Sequence, residues 1–190
     1  MAKDADTHNM LQQVIRTDQY GITIYNTNPD LSERLADELQ QWEPGRTEFT
    51  TQACAFSPKN TERDGSLSVE LSWTARDGSS KSKLPGKVGY YNINGALGEA
   101  NDVITKLRVQ CDLAGKLRKP SSQVSLVADA SNTLNIGTKV DPKTIDQQIT
   151  ILYLMTRKAT EVLDCENNPL KKDPVVKSYT TPEEAAQAGS

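Results

Sequence analysis

Three cysteines, Cys54, Cys111 and Cys165, are the side chains of this sequence whose chemistry depends most on where the fold places them. No two of them have the CxxC spacing of a zinc ribbon or a thioredoxin-type redox centre, so those sites are excluded. Cysteines outside such motifs serve as buried thiols in a reducing compartment or as halves of a structural disulfide in an oxidising one.

The positions of the cysteines favour one pairing. Strand alternation places Cys111 on the core-facing side of the segment 102–113, and Cys165 ends the strongest helical pattern in the chain, on its secondary apolar face. We therefore predict a disulfide between Cys111 and Cys165, with Cys54 as the free thiol. Pairings with Cys54 stay open as alternatives, because its predicted strand belongs to the same sheet. Three reduced thiols in a cytosolic protein are the other alternative.

Histidine is too scarce for most hydrolytic chemistry. The one histidine, His8, lies in a predicted N-terminal tail, whereas Ser-His and Cys-His catalysis need an imidazole held beside the nucleophile. Zinc sites built on two or three histidines are excluded by count. Carboxylates are plentiful, but Glu70, Asp112 and Asp129 are expected to be solvated strand residues. We therefore predict no catalytic residues, no metal ligands and no cofactor.

Binding by surface contact is the other chemistry that the residues offer. Tyr90, Tyr91, Asn92 and Asn94 combine rigid contact area with hydrogen-bonding groups, so they form the candidate contact stretch for a ligand or partner. A candidate basic patch combines cations from two predicted loop tips, which would either attract an anionic partner or protect strand edges: Lys81, Lys83, Lys87, Lys116, Arg118 and Lys119. Aromatic residues are too few around them to favour nucleic acid.

The bulk composition bounds the class of protein. A chain of 190 residues suits one domain, and 36% hydrophobic residues suffice for a core. A net charge of −3 gives no general attraction to nucleic acid or anionic membranes. No apolar run is long enough for a transmembrane helix, and the N-terminus lacks the apolar centre of a signal peptide. An exported form would therefore be a mature domain whose signal was removed.

The stretch 141–166 carries the clearest helical pattern, and the predicted core is organised around it. Its main apolar face holds Ile145, Ile149, Leu152, Thr156, Ala159 and Leu163. A second apolar face, interrupted by Lys158, holds Ile151, Met155, Val162 and Cys165. Asp141 is suited to cap this helix and Pro142 to begin it. Two apolar faces predict a helix that packs on a sheet and also touches another element.

The middle of the chain is predicted to be antiparallel β-structure. The segment 66–76 alternates apolar and polar residues, and Asp77-Gly78 then predicts a hairpin to a polar arm, 79–84. The segment 102–113 alternates in the same way. Further helices are predicted at 7–17 and 29–42, where apolar residues recur at three or four positions.

Together these patterns predict an α+β fold, with an antiparallel sheet of about five to six strands and helices packed on one face. A single domain is expected at 9–166, between a flexible N-terminal tail, 1–8, and a flexible C-terminal tail, 167–190. The first functional hypothesis is a non-catalytic, exported or cell-envelope module that binds a protein or a small molecule. The second is an intracellular or viral assembly subunit, and the third is an enzyme that works through carboxylates.

Overall fold

The computed structural model describes residues 2–44, 49–59, 64–76 and 84–188, with side chains described from residue 6 onward. The elements are, in chain order, α1 (Ala2–Ile15), β1 (Tyr20–Ile24), α2 (Asn28–Gln40), β2 (Thr50–Pro58), β3 (Leu67–Ala75), β4 (Gly89–Ile93), β5 (Ala96–Ala100), β6 (Ile104–Val109), α3 (Arg118–Ser121), β7 (Val124–Asn132), α4 (Pro142–Val162), β8 (Val176–Tyr179) and α5 (Pro182–Gln187).

One antiparallel sheet contains all eight of these strands, in the order β1-β2-β3-β7-β6-β5-β4-β8. The α+β class, the antiparallel sheet and the long helix are confirmed, but the sheet is wider than the five to six strands predicted. Two strands were missed. β5 lies within 94–101, where the sequence predicts a turn or a single helical turn, and β8 lies in the segment expected to be a tail.

The turn before β5 has a signal that the prediction did not use. Asn94 and Gly95 form the two-residue connection between β4 and β5, whose end residues Ile93 and Ala96 pair. Both turn residues have positive φ, 53° and 93°. Asparagine and glycine tolerate that conformation best, and a two-residue Asn-Gly turn matches the twist of a hairpin.

The core lies between one sheet face and the helices α1, α2 and α4. Along β3, the alternating residues Leu67, Val69, Leu71 and Trp73 are all buried on this face. The indole Nε1 of Trp73 donates a hydrogen bond to the carbonyl oxygen of Leu35 in α2, at 2.8 Å. Helix α4 contacts α1, α2 and the strands from β5 to β7, so it covers the centre of the sheet.

The C-terminal segment is docked on the sheet, which corrects the expected tail at 167–190. Strand β8 pairs with β4 along its whole length. The side chain of Asn92 in β4 donates a hydrogen bond to the carbonyl oxygen of Ala185 in α5, at 2.8 Å, and Ala185 is buried. Asn92 alternates with the core residues Tyr91 and Ile93, so α5 lies on the opposite face of the sheet from α4. The helices are therefore not all on one face.

Helix boundaries differ from the prediction at two places. Helix α1 begins at Ala2, so most of the segment expected to be an N-terminal tail is helical. The early residues extend the helix without an apolar stripe, and hydrophobic periodicity cannot detect such a turn. Helix α4 begins after Asp141 as predicted, since that carboxylate accepts from the backbone N–H of Lys143 and Thr144. It ends at Val162 instead of 166, and Asp164 has a φ of 57° that breaks the helix.

Strand β3 pairs with β7 along its whole length and with β2 from Leu67 to Ser72. The predicted Asp77-Gly78 hairpin and its arm, 79–84, follow directly after β3. The residues 77–83, including that turn and most of the arm, lie outside the described part of the chain.

Candidate ligand-binding cleft

The predicted disulfide is present. Cys111 and Cys165 are bonded, their Cα atoms are 5.1 Å apart, and both residues are buried. Asn167 binds the residues on either side of Cys111. Its side-chain amide donates to the carbonyl oxygen of Gln110 (3.0 Å) and accepts from the N–H of Asp112 (3.1 Å). The bond therefore ties the chain beyond α4 to the chain beyond β6.

Cys54 is the free thiol, and it is buried on β2. Burial raises the pKa of the Cys54 thiol to about 11, so the group is protonated at neutral pH. A protonated, buried thiol is a poor nucleophile.

Most residues of the candidate contact stretch make contacts within the protein. Tyr91 and Asn92 are buried, and Asn92 holds α5. The Asn94 side chain donates to the carbonyl oxygen of Asp173 (2.6 Å) and to the hydroxyl of Tyr153 (3.2 Å). Tyr90 is half-buried and pairs with β8 and β5. These residues are thus the docking site for the protein's own C-terminal segment.

The candidate basic patch is split by the fold. Lys87 precedes β4, at the end of the sheet where β6 begins, whereas Lys116, Arg118 and Lys119 follow the end of β6. The length of β6 separates the two groups by roughly 17 Å. Arg118 also pairs with Glu166 (3.1 Å), and Lys116 donates to Gln40 (3.1 Å). Lys81 and Lys83 lie outside the described residues.

Carboxylates on the polar face of the sheet are engaged with neighbours. Asp129 pairs with Lys106 at 3.0 Å, and Glu70 accepts from the side chain of Gln52 at 3.1 Å. Burial raises the pKa of Glu99, and the nearby Arg108 and Lys106 partly offset that rise. Within the described part of the chain, no three or more acidic, cysteine or histidine side chains are grouped to hold a metal ion.

A largely apolar cleft of about 530 Å³ lies at the β1 edge of the sheet, below α4. One wall is formed by α4 and α1, and the other by β1 and β2. Its apolar surface comes from residues of these four elements and from α2 and β3, chiefly Leu11, Ile22, Ile24, Phe56, Ile151 and Met155. This volume and lining are typical of sites for small apolar ligands.

Strand β1 leaves the cleft open along one side. The side chains of Ile22 and Ile24 are 56% and 67% exposed although they point to the same sheet face as the buried Cys54 and Phe56. β1 is the first strand of the sheet, so its other side has no paired strand among the described residues. Large apolar side chains left exposed in a concave wall mark a binding surface more often than isolated ones do.

The lining also contains polar residues: Thr7, His8, Tyr20, Asn26, Asn28, Thr156 and Lys158. The Tyr20 hydroxyl and Nδ1 of His8 share a hydrogen bond at 2.7 Å, and burial raises the pKa of Tyr20. Lys158 is the one residue of the described lining with a formal charge at neutral pH.

The sequence carried a signal for this site. The second apolar face predicted for α4, with Ile151, Met155 and Val162 around Lys158, is the face that lines the cleft. It was interpreted as packing against another element of the protein. Periodicity shows that a helix face is apolar, but it does not show whether protein or ligand covers that face.

No helix in the described ranges has the length and apolarity needed to cross a membrane.

The chain matches no protein-family model, no curated protein and no solved structure.

Proposed function

We propose that this protein is a non-catalytic binding module that holds an apolar ligand in the cleft between α4 and β1. The observation that carries the proposal is the cleft itself, about 530 Å³ in volume and lined almost throughout by apolar side chains. Burying such surface under a ligand is favourable by roughly 25 cal/mol per Å². Ile22 and Ile24 are exposed in the free protein, so a ligand that covered them would bury the most apolar surface there.

The lining supports binding over catalysis. Its potential nucleophile, Cys54, is held protonated by burial, with a pKa of about 11. The His8 imidazole is engaged with the Tyr20 hydroxyl at 2.7 Å, on α1 and β1. A covalent mechanism needs a nucleophile with a base in hydrogen-bond reach, and these residues are not hydrogen-bonded to Cys54.

An exported or cell-envelope location is part of the proposal. Its support is the buried Cys111–Cys165 disulfide, a type of bond that persists in oxidising compartments. Quantifying free thiols in protein taken directly from its own cells, under denaturing and non-reducing conditions, tests this point. One free thiol per chain is expected, and three would contradict export.

Binding can be tested with the uncharged fluorescent probe N-phenyl-1-naphthylamine. The protein should enhance the fluorescence of the probe. Ile22→Asp should weaken probe binding about tenfold, because it removes roughly half of the apolar contact of a buried isoleucine and places a charge in the cleft. The matched control is Val175→Asp, since Val175 is 55% exposed and does not line the cleft.

Alkylation of Cys54 by N-ethylmaleimide gives an independent readout, because this thiol lines the cleft. The reaction is slow, since the thiol is buried and protonated, so it is followed at alkaline pH, where more thiolate forms. Saturating probe should slow the reaction in the native protein and in Val175→Asp. Two results would contradict the proposed site: equal probe affinity in Ile22→Asp and Val175→Asp, or no enhancement of probe fluorescence by the native protein.

A second candidate function is self-assembly through the β1 edge. The strand reads Tyr-Gly-Ile-Thr-Ile and contains no charge or proline, the devices that usually protect sheet edges. The other edge, β8, is short and carries Lys177. Sedimentation velocity over a range of concentrations distinguishes the two, since assembly predicts a sedimentation coefficient that rises with concentration.

A further inference from the structure

We infer that the cleft takes a single-chain carboxylic acid of the fatty-acid type, with its chain along α4 and its carboxylate at the ammonium group of Lys158. This inference rests on the proposed function and names the class of ligand. The distribution of charge around the cleft carries it.

Charge complementarity favours an anionic head group. Lys158 is the one formally charged residue of the described lining, and no aspartate or glutamate there opposes it. Glu161, which pairs with Lys158 at 3.1 Å, is outside the lining, so the lysine is the charge that borders the apolar surface. A cation in that position attracts an anionic ligand end and disfavours a cationic one. Asn26 and Asn28 are neutral residues of the same lining, and the Asn26 amide nitrogen donates to the carbonyl oxygen of Gln52 at 2.7 Å.

Lys158 is able to serve a ligand without breaking a strong interaction. Its ammonium group lies 3.1 Å from the Glu161 carboxylate, one turn along α4, and the two side chains are 64% and 55% exposed. Exposed pairs of this kind contribute little to stability. The lysine stem can lie over the apolar wall while its charge stays at the rim.

The shape of the cleft suits one elongated chain. Its α4 wall runs from Ile151, beside α1, to Val162, whose carbonyl oxygen accepts a hydrogen bond from Ser32 in α2. At the rise of an α-helix this wall is roughly 16 Å long. The facing wall is the extended strand β1, with Ile22 and Ile24 as its apolar contacts. Apolar walls on two sides provide contact for an elongated chain.

The test is displacement of N-phenyl-1-naphthylamine by three ligands with the same ten-carbon chain: decanoate, 1-decanol and decyltrimethylammonium. Native protein should bind decanoate about three- to fivefold more tightly than decanol, the increment expected for one solvent-exposed ion pair. Decyltrimethylammonium should bind most weakly. The decanoate advantage should fall as salt is raised, whereas decanol affinity should not.

Variants assign the effect to the proposed residue. Lys158→Gln should abolish the preference for decanoate over decanol, and Lys158→Glu should reverse the order of decanoate and decyltrimethylammonium. Glu161→Gln should tighten decanoate about twofold, because it removes a competing carboxylate. Lys143→Gln is the matched control: Lys143 lies on the same helix, outside the lining, and its replacement should leave all three affinities unchanged.

The outcomes separate this inference from the proposed function. If decanol and the neutral probe bind in the cleft but decanoate has no advantage, or keeps it in Lys158→Gln, the carboxylate assignment is wrong while the apolar site stands. If neither the probe nor any ten-carbon ligand binds, both fail. A concentration-dependent dimer that excludes the probe, or displacement only by extended apolar peptides, would give the cleft a different occupant and overturn the inference.

Discussion

Replacing both Cys111 and Cys165 by alanine should lower the free energy of unfolding by about 4 kcal/mol. The two cysteines are 54 residues apart. In the chain-entropy model, closing a loop of that length removes roughly 14 cal/mol/K from the unfolded chain, which is about 4 kcal/mol near room temperature. Both residues are buried, so loss of the two sulfur atoms also removes packing contacts and adds to the destabilisation.

Guanidinium unfolding measures the effect. With a slope of about 4 kcal/mol per molar, the transition midpoint should fall by roughly 1 M. Reductant should shift native protein in the same direction and leave the double variant unchanged. Cys54→Ala is the control, since it should retain the full response to reductant. A midpoint shift below roughly 0.25 M, about 1 kcal/mol, would show that the unfolded chain gains little freedom from losing the bond.

Two further predictions concern buried polar groups. Asn92→Ala removes hydrogen bonds to the Ala185 carbonyl oxygen (2.8 Å) and from the Gly95 N–H (2.9 Å), so it should cost about 1–3 kcal/mol and speed amide exchange selectively in β8 and α5. Amide exchange that is accelerated equally in all strands of the sheet would contradict a local role of Asn92 in docking β8 and α5. Burial raises the pKa of Glu38, although a hydrogen bond from Thr51 and the charge of Arg34 partly offset that rise. The folded state then binds the proton more tightly than the unfolded state, so this group weakens stability as pH rises through its folded pKa. Glu38→Gln should therefore be more favourable, relative to native protein, at pH 7 than at pH 4. Unfolding curves at both pH values check the sign, and an advantage confined to acid would reverse the assignment.

The sequence pattern within one helix or strand was sufficient to predict features that depend on that element alone. The twofold alternation of β3 predicted which of its residues are buried, because neighbouring strand residues point to opposite faces. The capping role of Asp141 followed from residue type and position. The disulfide could be predicted because each cysteine occupies an apolar face of a strongly periodic segment, and both faces had to meet in one core.

The candidate site depended on contacts between distant parts of the chain. The cleft is formed by α1, β1 and β2 near the start of the chain and by α4, which begins 84 residues after β2 ends (residue 142 against residue 58). The candidate basic patch required two loop tips to be adjacent in space, but antiparallel β6 carries the chain to the opposite end of the sheet.

The sequence by itself determined the α+β class, the apolar faces of β3 and α4, and the cysteines suited to pair. Only the tertiary structure decided that β8 completes the sheet, that Asn92 and Asn94 bind the protein's own C-terminal segment, and that the second face of α4 borders a cleft. The physical reason is that periodicity depends on neighbours within a few residues. The surface that finally covers a face, or leaves it open, depends on elements far away in the chain.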